Sequence, residues 1–291
     1  MSKEQNKNYG KSVRAKLLNV ARKKEVFNQT ILTRYFQERL LYRISQTHFR
    51  DNFYLKGGAL MYAYEKFAAR PTLDIDFLGN NISNDSYSII AAFKRICSVS
   101  CEEDGVIFDT EHITAQNITE FKDYHGIRLS IPVKMDSIIQ VLTMDIGFGD
   151  VVTPSPIEID YPVLLEHLPG ANILAYSLET VIAEKMHAVV DLADQSSRMK
   201  DFYDLYKILQ HETYNPATLQ EAIIHTFENR HTPYSGDTMF FRKEFGSNRQ
   251  MQVRWAAFMR KITYKGELSF TEVVAFIQQR LLPFWENLKS E

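Results

Sequence analysis

The segment Thr72-Leu73-Asp74-Ile75-Asp76-Phe77 holds the residues best suited to chemistry. Side chains alternate along a strand, so Thr72, Asp74 and Asp76 share one face and Leu73, Ile75 and Phe77 the other, which is apolar enough to be core. Two carboxylates about 7 Å apart on one strand face repel each other unless a cation stands between them. Mg²⁺ takes hard oxygen ligands and shares them with substrate phosphates. The pair is therefore a platform for one or two Mg²⁺ ions and a triphosphate, or else an exposed strand face with two solvated acids. Upstream, Gly57-Gly58 lies between a short apolar strand and a helical run. Two glycines let backbone approach a ligand closely, and a helix start offers N–H groups and a positive dipole end to phosphate; alone, such a pair is also an ordinary turn. Downstream, Val141-Leu142-Thr143-Met144-Asp145-Ile146 surrounds an acid with apolar residues, so Asp145 is either paired in the interior or lines a site. On one sheet edge, Asp74, Asp76 and Asp145 would form a two-metal cluster for in-line phosphoryl chemistry.

Lys185 has Val181, Ile182, Ala188 and Val189 as its helical neighbours, all apolar. Such a lysine either snorkels to solvent or faces an anion, and its removal is expected to leave the fold intact. In Arg198-Met199-Lys200-Asp201-Phe202-Tyr203-Asp204-Leu205, Arg198, Asp201 and Asp204 share a helix face. They read as an intrahelical ion pair, or as a carboxylate acting as general base or positioning an acceptor hydroxyl. His187 reads as a packed helix histidine. No His-x-x-x-His or Cys-x-x-Cys spacing suggests zinc, and neither Gly-x-Gly-x-x-Gly nor a P-loop pattern occurs.

The elements that must position these groups follow from the pattern. The chain has 291 residues, 45% of them apolar, enough for one large or two ordinary domains. Residues 1–10 read as a loose start, and Ser12 to Thr47 is helical with Asn28 as an N-cap. Arg70 to Leu78 reads as a strand, Tyr87 to Ser98 as a helix, and the stretch 105–162 is β-rich and expected to pair antiparallel. After Pro169-Gly170 the chain is expected to be helical to its end, with Ser177 capping the first helix. This gives an α+β core with N-terminal helices over residues 1–169 and a helical C-terminal domain over 170–291. Cys97 and Cys101 read as reduced thiols on one helix face. With no apolar leader and no apolar run near 18 residues, the expected setting is cytoplasmic, with no membrane partner.

Charge is uneven. Residues 1–50 hold 12 Lys/Arg against 3 Asp/Glu, residues 51–241 hold 13 against 28, and residues 242–265 hold 7 against 1. An acidic middle with basic margins suits an enzyme that gathers metal centrally and a polyanion outside, or marks solvated helix faces. Phe240, Phe241, Phe245, Trp255 and Phe258 interleave with Arg242, Lys243, Arg249 and Arg254. That mixture fits RNA stacking on a basic surface, or helix core beside a solvated face.

Four blocks carry a resemblance: Lys56-Gly57-Gly58-Ala59-Leu60, Arg70-Pro71-Thr72-Leu73-Asp74-Ile75-Asp76-Phe77, Ala183-Glu184-Lys185-Met186-His187-Ala188, and Lys200-Asp201-Phe202-Tyr203-Asp204-Leu205. Together they resemble the AbiEii/AbiGii nucleotidyltransferase family, toxins of bacterial abortive-infection systems. The resemblance implies a polymerase-β-like nucleotidyltransferase core with a mixed or antiparallel sheet, Mg²⁺ as metal and an NTP as substrate. It also implies a cognate antitoxin and, in some members, nucleotide transfer to the 3′ end of tRNA. On this reading Gly57 and Gly58 cradle phosphate, Asp74 and Asp76 are the metal pair and Asp145 the third carboxylate. Lys185 contacts phosphate and Asp201 is the late catalytic aspartate. Lys56, Arg70, Thr72 and Asp204 are expected nucleotide contacts. Ala59 stands where Ser or Thr is common, which removes one hydroxyl from the phosphate site. Transfer to a small molecule, and a non-catalytic nucleotide-binding module, are the competing readings.

Overall fold

The computed structural model describes residues 8–120, 124–234 and 238–288, so residues 1–7 of the expected loose start lie outside the described residues. The chain forms two compact units. The first holds residues up to Gly149 together with Ile157–Ala175, and the second Asp150–Pro156 together with the chain from Tyr176 onward.

The first unit opens with α1 (Tyr9–Lys24), capped by the Asn8 side chain, which accepts the Lys11 N–H at 2.9 Å. Val13, Leu17 and Ala21, four residues apart, form its buried stripe. Helix α2 (Asn28–Ser45) has Phe27 at its N-cap and no side-chain cap; Asn28 is already helical, so the capping expected of it is not realised. Every side chain from Ile31 to Leu41 is buried, Arg34, Gln37, Glu38 and Arg39 among them. A helix buried all round with charges aboard must satisfy them locally. Arg43 holds Asp104 at 2.7 Å, and Arg39 donates to the Pro169 carbonyl at 2.7 Å. Glu38 accepts the Leu164 N–H at 2.7 Å.

Ten elements follow: β1 (Phe53–Lys56), α3 (Gly57–Glu65), β2 (Asp74–Gly79), α4 (Ser86–Cys97), β3 (Ile107–Phe108), β4 (Thr114–Glu120), β5 (Tyr124–Met135), β6 (Ile138–Phe148), β7 (Ile157–Tyr161) and β8 (Ala171–Ala175). The strands form one sheet in the order β3-β5-β6-β2-β1-β8-β7, with β4 also on β5. Pairings β2/β6 and β1/β8 are parallel and the others antiparallel. One sheet face is core: Phe53, Phe77 and Phe93 of α4 cluster there with ring centroids 5.0–5.9 Å apart. Strand β2 is shorter than the alternation in 70–78 suggested. The chain before it is tied to α2 instead, through Arg34 to the Ala69 carbonyl at 3.0 Å and Gln37 to those of Leu73 and Asp74 at 3.2 and 3.4 Å. Beyond Gly170 the chain first makes β8 before it turns helical. Helix α4 ends at Cys97, so Cys101 lies beyond it and the two free thiols do not share a helix face.

The second unit comprises α5 (Leu178–Leu192), α6 (Met199–His211), α7 (Pro216–Asn229), α8 (Arg249–Lys261) and α9 (Phe270–Asn287). Ser177 caps α5 by accepting the Thr180 N–H, and Ser269 with Glu272 forms a capping box on α9. Its core gathers Phe202 with Phe240, Phe245 and Phe270 at 5.2–6.2 Å. No helix among the described residues is long and apolar enough to cross a membrane.

Burial pushes the Glu38 carboxyl up to about 7, against the opposing pull of Arg39 and the Leu164 N–H. A carboxyl raised in the folded state contributes stability below its unfolded value of about 4.3, and loses it as pH rises through 7. Between pH 4.5 and 8 the wild-type chain should therefore lose on the order of 2 kcal/mol that Glu38→Gln does not lose. Parallel slopes of melting temperature against pH for the two proteins would contradict this.

Candidate active site

The open face of the sheet carries the chemistry. Residues in register across neighbouring strands project to the same side about 4.8 Å apart. Lys56 of β1 is in register with Asp76 of β2, Asp76 with Asp145 of β6, and Asp145 with Arg128 of β5. One row thus reads Lys56, Asp76, Asp145, Arg128: a cation at each end and two carboxylates between. The flanking residues Ile75, Phe77, Met144 and Ile146 point to the core. Asp74 is in register with Thr143, which is opposite Ser130, so it stands in a second, hydroxyl-bearing row. The sheet therefore puts Asp76 and Asp145 side by side and leaves Asp74 one row, about 7 Å, away.

At the end of β1 the chain turns into α3 through Gly57, whose φ is +67°. A Cβ there would lie 1.9 Å from Asp76 Oδ2, and one on Gly58 would lie 2.8 Å from the Thr72 side chain. The Asp76 carboxylate thus rests against bare backbone at the start of a helix, where N–H groups favour anions. Glycine is required here for left-handed backbone and for close approach at once. Ala59 is fully buried behind the turn and its carbonyl accepts from Tyr161 at 3.2 Å. Arg70 lies in the segment leading to β2, and Thr72 donates to the Asp74 carbonyl at 3.3 Å.

Arg128 was not singled out by its sequence context. Its Nε donates to Asp145 Oδ1 at 2.7 Å and its Nη2 to Oδ2 at 2.6 Å, a bidentate pair. The run Ile127-Arg128-Leu129 shows that this side chain leaves the core face, but only the β5/β6 register shows what it meets.

In the second unit Lys185 is 8% exposed. Its ammonium does not snorkel: it donates to Asp201 at 3.1 Å and Asp204 at 2.7 Å, while Arg198 Nε donates to the other Asp201 oxygen at 2.9 Å. Burial alone would push the Asp201 carboxyl up; Lys185 and Arg198 outweigh it and hold it below its usual range. His187 is neutral at pH 7, its ring driven down to about 4 by burial, with Nε2 2.7 Å from the Thr232 hydroxyl and its edge on Phe227. Asp150, unremarked in the sequence, accepts from Arg230 and Tyr176, each at 2.8 Å. The aromatics expected to interleave with the basic run are core instead: Phe240, Phe245 and Trp255 are 0–3% exposed. Phe258 packs on Tyr203 and Trp255, and Phe241 on Phe240. Arg254 donates to the Ser196 carbonyl at 3.0 Å, whereas Lys243 and Arg249 are exposed.

The residues present fit a hard divalent ion. Asp76 and Asp145 stand in adjacent registers with oxygen donors, and the missing Cβ of Gly57 leaves room for the Asp76 carboxylate. Among the described residues no group of three His, Cys, Asp or Glu side chains is assembled to hold an ion. Substrate and water oxygens would complete the shell, as Mg²⁺ prefers.

A mixed sheet with carboxylates in adjacent registers beside a glycine turn into a helix is the architecture of a nucleotidyltransferase. The chain belongs to the AbiEii family: the family model described as "Nucleotidyl transferase AbiEii toxin, Type IV TA system" matches residues 39–276. A crystal structure from H. pylori, titled as that of a candidate nucleotidyltransferase, shares the fold with TM-score 0.51 at 15% identity, over 91% of this chain and 98% of that one. JHP933 from Helicobacter pylori aligns with TM-score 0.48 at 14% identity, over 91% and 95% of the two chains. No curated protein matches the chain.

Two outcomes are expected. Gly57→Ala should displace Asp76, costing about 1–2 kcal/mol through its left-handed backbone and most of the transferase activity; an active, equally stable variant would show that the contact yields without cost. Lys185→Ala leaves two buried carboxylates without their shared cation. That should cost about 3–5 kcal/mol, a fall of about 10 °C in melting temperature. This reverses the expectation drawn from the apolar stripe alone, and a scan within a degree or two of wild type would restore it.

Proposed function

We propose that this chain transfers a nucleoside monophosphate from an NTP to a hydroxyl of RNA, a tRNA end being the favoured acceptor, as the toxin of a bacterial toxin–antitoxin pair in the cytoplasm. The observation that carries this is the Asp76–Asp145 pair set in register beside the Gly57 turn. Asp76 and Asp145, with Asp74 in the adjoining row, are the residues proposed to hold Mg²⁺. Bound there, Mg²⁺ would supply neutralisation of phosphate charge and activation of the attacking hydroxyl.

The chain's own contribution is positional and electrostatic. Gly57, Gly58 and the first turn of α3 receive phosphate oxygens on backbone N–H groups. Lys56, at one end of the carboxylate row, adds a cation, and Arg70 and Thr72 are proposed as further nucleotide contacts. Lys185 is proposed as the phosphate-contacting lysine, kept charged and oriented by Asp201 and Asp204. Asp201 keeps its proposed role as the late catalytic aspartate. The acceptor reading is supported by the exposed cations Lys11, Arg14 and Lys16 of α1, and by Arg249, Arg260 and Lys261 of α8. The buried aromatics lend it no stacking platform, so the RNA contact would be to backbone phosphate.

The test is incubation of the full chain with each radiolabelled NTP, Mg²⁺ and total cellular RNA. Label should enter RNA, and Asp76→Asn or Asp145→Asn should lower it by at least about a hundred-fold while circular dichroism stays unchanged. Full labelling by Asp76→Asn would refute the metal assignment. Label appearing only in low-molecular-weight material would move the acceptor to a small molecule, whose affinity would lack the steep salt dependence of RNA.

A further inference from the structure

We propose that Arg128 is a positioning residue that sets how strongly the Asp145 side of the site takes a divalent cation. This rests on the metal reading of Asp76 and Asp145. The row Lys56, Asp76, Asp145, Arg128 is balanced as it stands, with two cations flanking two anions. The pairing at its Arg128 end is close: Nε and Nη2 engage both oxygens of Asp145 at 2.7 and 2.6 Å. A carboxylate has about four lone-pair directions, and a bidentate guanidinium takes one on each oxygen. The directions left, one on each oxygen, are what Asp145 can still offer a cation.

Two consequences follow. Arg128 fixes the orientation of the Asp145 carboxylate through both of its oxygens. The guanidinium charge also repels any ion arriving on the far side of that carboxylate. Asp145 is thereby a weaker cation ligand than an unpaired aspartate would be. An ion there would be held firmly only when substrate phosphates supply more oxygens. Arg128 is 44% exposed along its side chain and Asp145 19%, so the pair sits at the rim of the site and its loss should not unfold the sheet.

The experiment is a Mn²⁺ titration of the full chain, without nucleotide, read by the electron paramagnetic resonance signal of free Mn²⁺. Wild type, Arg128→Gln, Arg128→Lys, Asp145→Asn and Arg128→Gln/Asp145→Asn are compared, with melting temperatures alongside. Arg128→Gln should bind Mn²⁺ about ten-fold more tightly, the factor expected when a unit charge one carboxylate away from a divalent ion is removed in a water-like dielectric. Arg128→Lys keeps the charge and should stay near wild type. The gain should vanish in the double variant, because it acts through Asp145. Affinity that is unchanged or weaker in Arg128→Gln, or a gain that survives in the double variant, overturns the proposal. A role in folding alone would lower the melting temperature and leave Mn²⁺ affinity where it was. No Mn²⁺ binding by any of the five proteins would instead remove the metal reading on which the proposal rests.

Discussion

The first unit depends on α2, whose buried stretch carries Arg34, Gln37, Glu38, Arg39 and Arg43. Burying a charge without a partner is far more costly than any single apolar contact can offset. Each of these side chains therefore reaches a particular backbone carbonyl, N–H or carboxylate: Ala69, Leu73, Asp74, Asp104, Leu164 and Pro169. Most of those partners lie outside the strands, and Asp74 is the first residue of β2. The two bonds from Gln37 tie α2 to the backbone where β2 begins, next to Asp74 and Asp76. A slip of one residue would also turn the two acids to the core face, which the burial of Ile75 and Phe77 opposes.

Both units hold groups of like charges, and the contrast between them is informative. In the second unit Asp201 and Asp204 share one buried lysine, and Arg198 takes up a remaining oxygen of Asp201. In that centre the charges are matched, and Lys185, Asp201 and Asp204 are buried while Arg198 reaches the surface. In the first unit Asp76 and Asp145 lie next to each other on the open face, with their cations at the ends of the row. Arg128 is paired with Asp145 at one end of the row, and Lys56 is in register with Asp76 at the other. The first arrangement holds Lys185 in a fixed position, and the second is the one proposed to take up a cation.

The face of β2 that carries the acids, the glycine turn ahead of it and Asp145 on a later strand could all be read from period-two alternation. So could the cap of α5 at Ser177, because a serine before an apolar run has few other uses. Strand β8 could not: Ala171-Asn172-Ile173-Leu174-Ala175 is short and poor in β-branched residues, and its place is set by pairing with β1. Strand β4 is mostly polar and rests on one edge of β5. Phe240, Phe245 and Trp255 looked like a stacking surface because basic residues stand among them. Sequence spacing in a stretch of short turns does not show which side chains face inward, and the basic residues are merely the solvated members of the same segments. Arg128 was hidden for a related reason: nothing local distinguishes it, and its role exists only through the register of two long strands.

Register also bears on how far three acids can act as one cluster. Counting carboxylates along the chain suggests that Asp74, Asp76 and Asp145 converge. The ladder makes two of them neighbours and sends the third to a row lined by Thr143 and Ser130. A strand carries successive same-side residues about 7 Å apart, while neighbouring strands hold them at about 4.8 Å. One small cation draws its oxygen ligands close together, so the shorter separation asks less reach of the side chains. Asp74 would join such an ion only by side-chain reach or through a second ion or a water. On the metal reading proposed above, the cross-strand pair is the better placed for one ion, and the along-strand pair, though the more visible in the sequence, needs the longer reach.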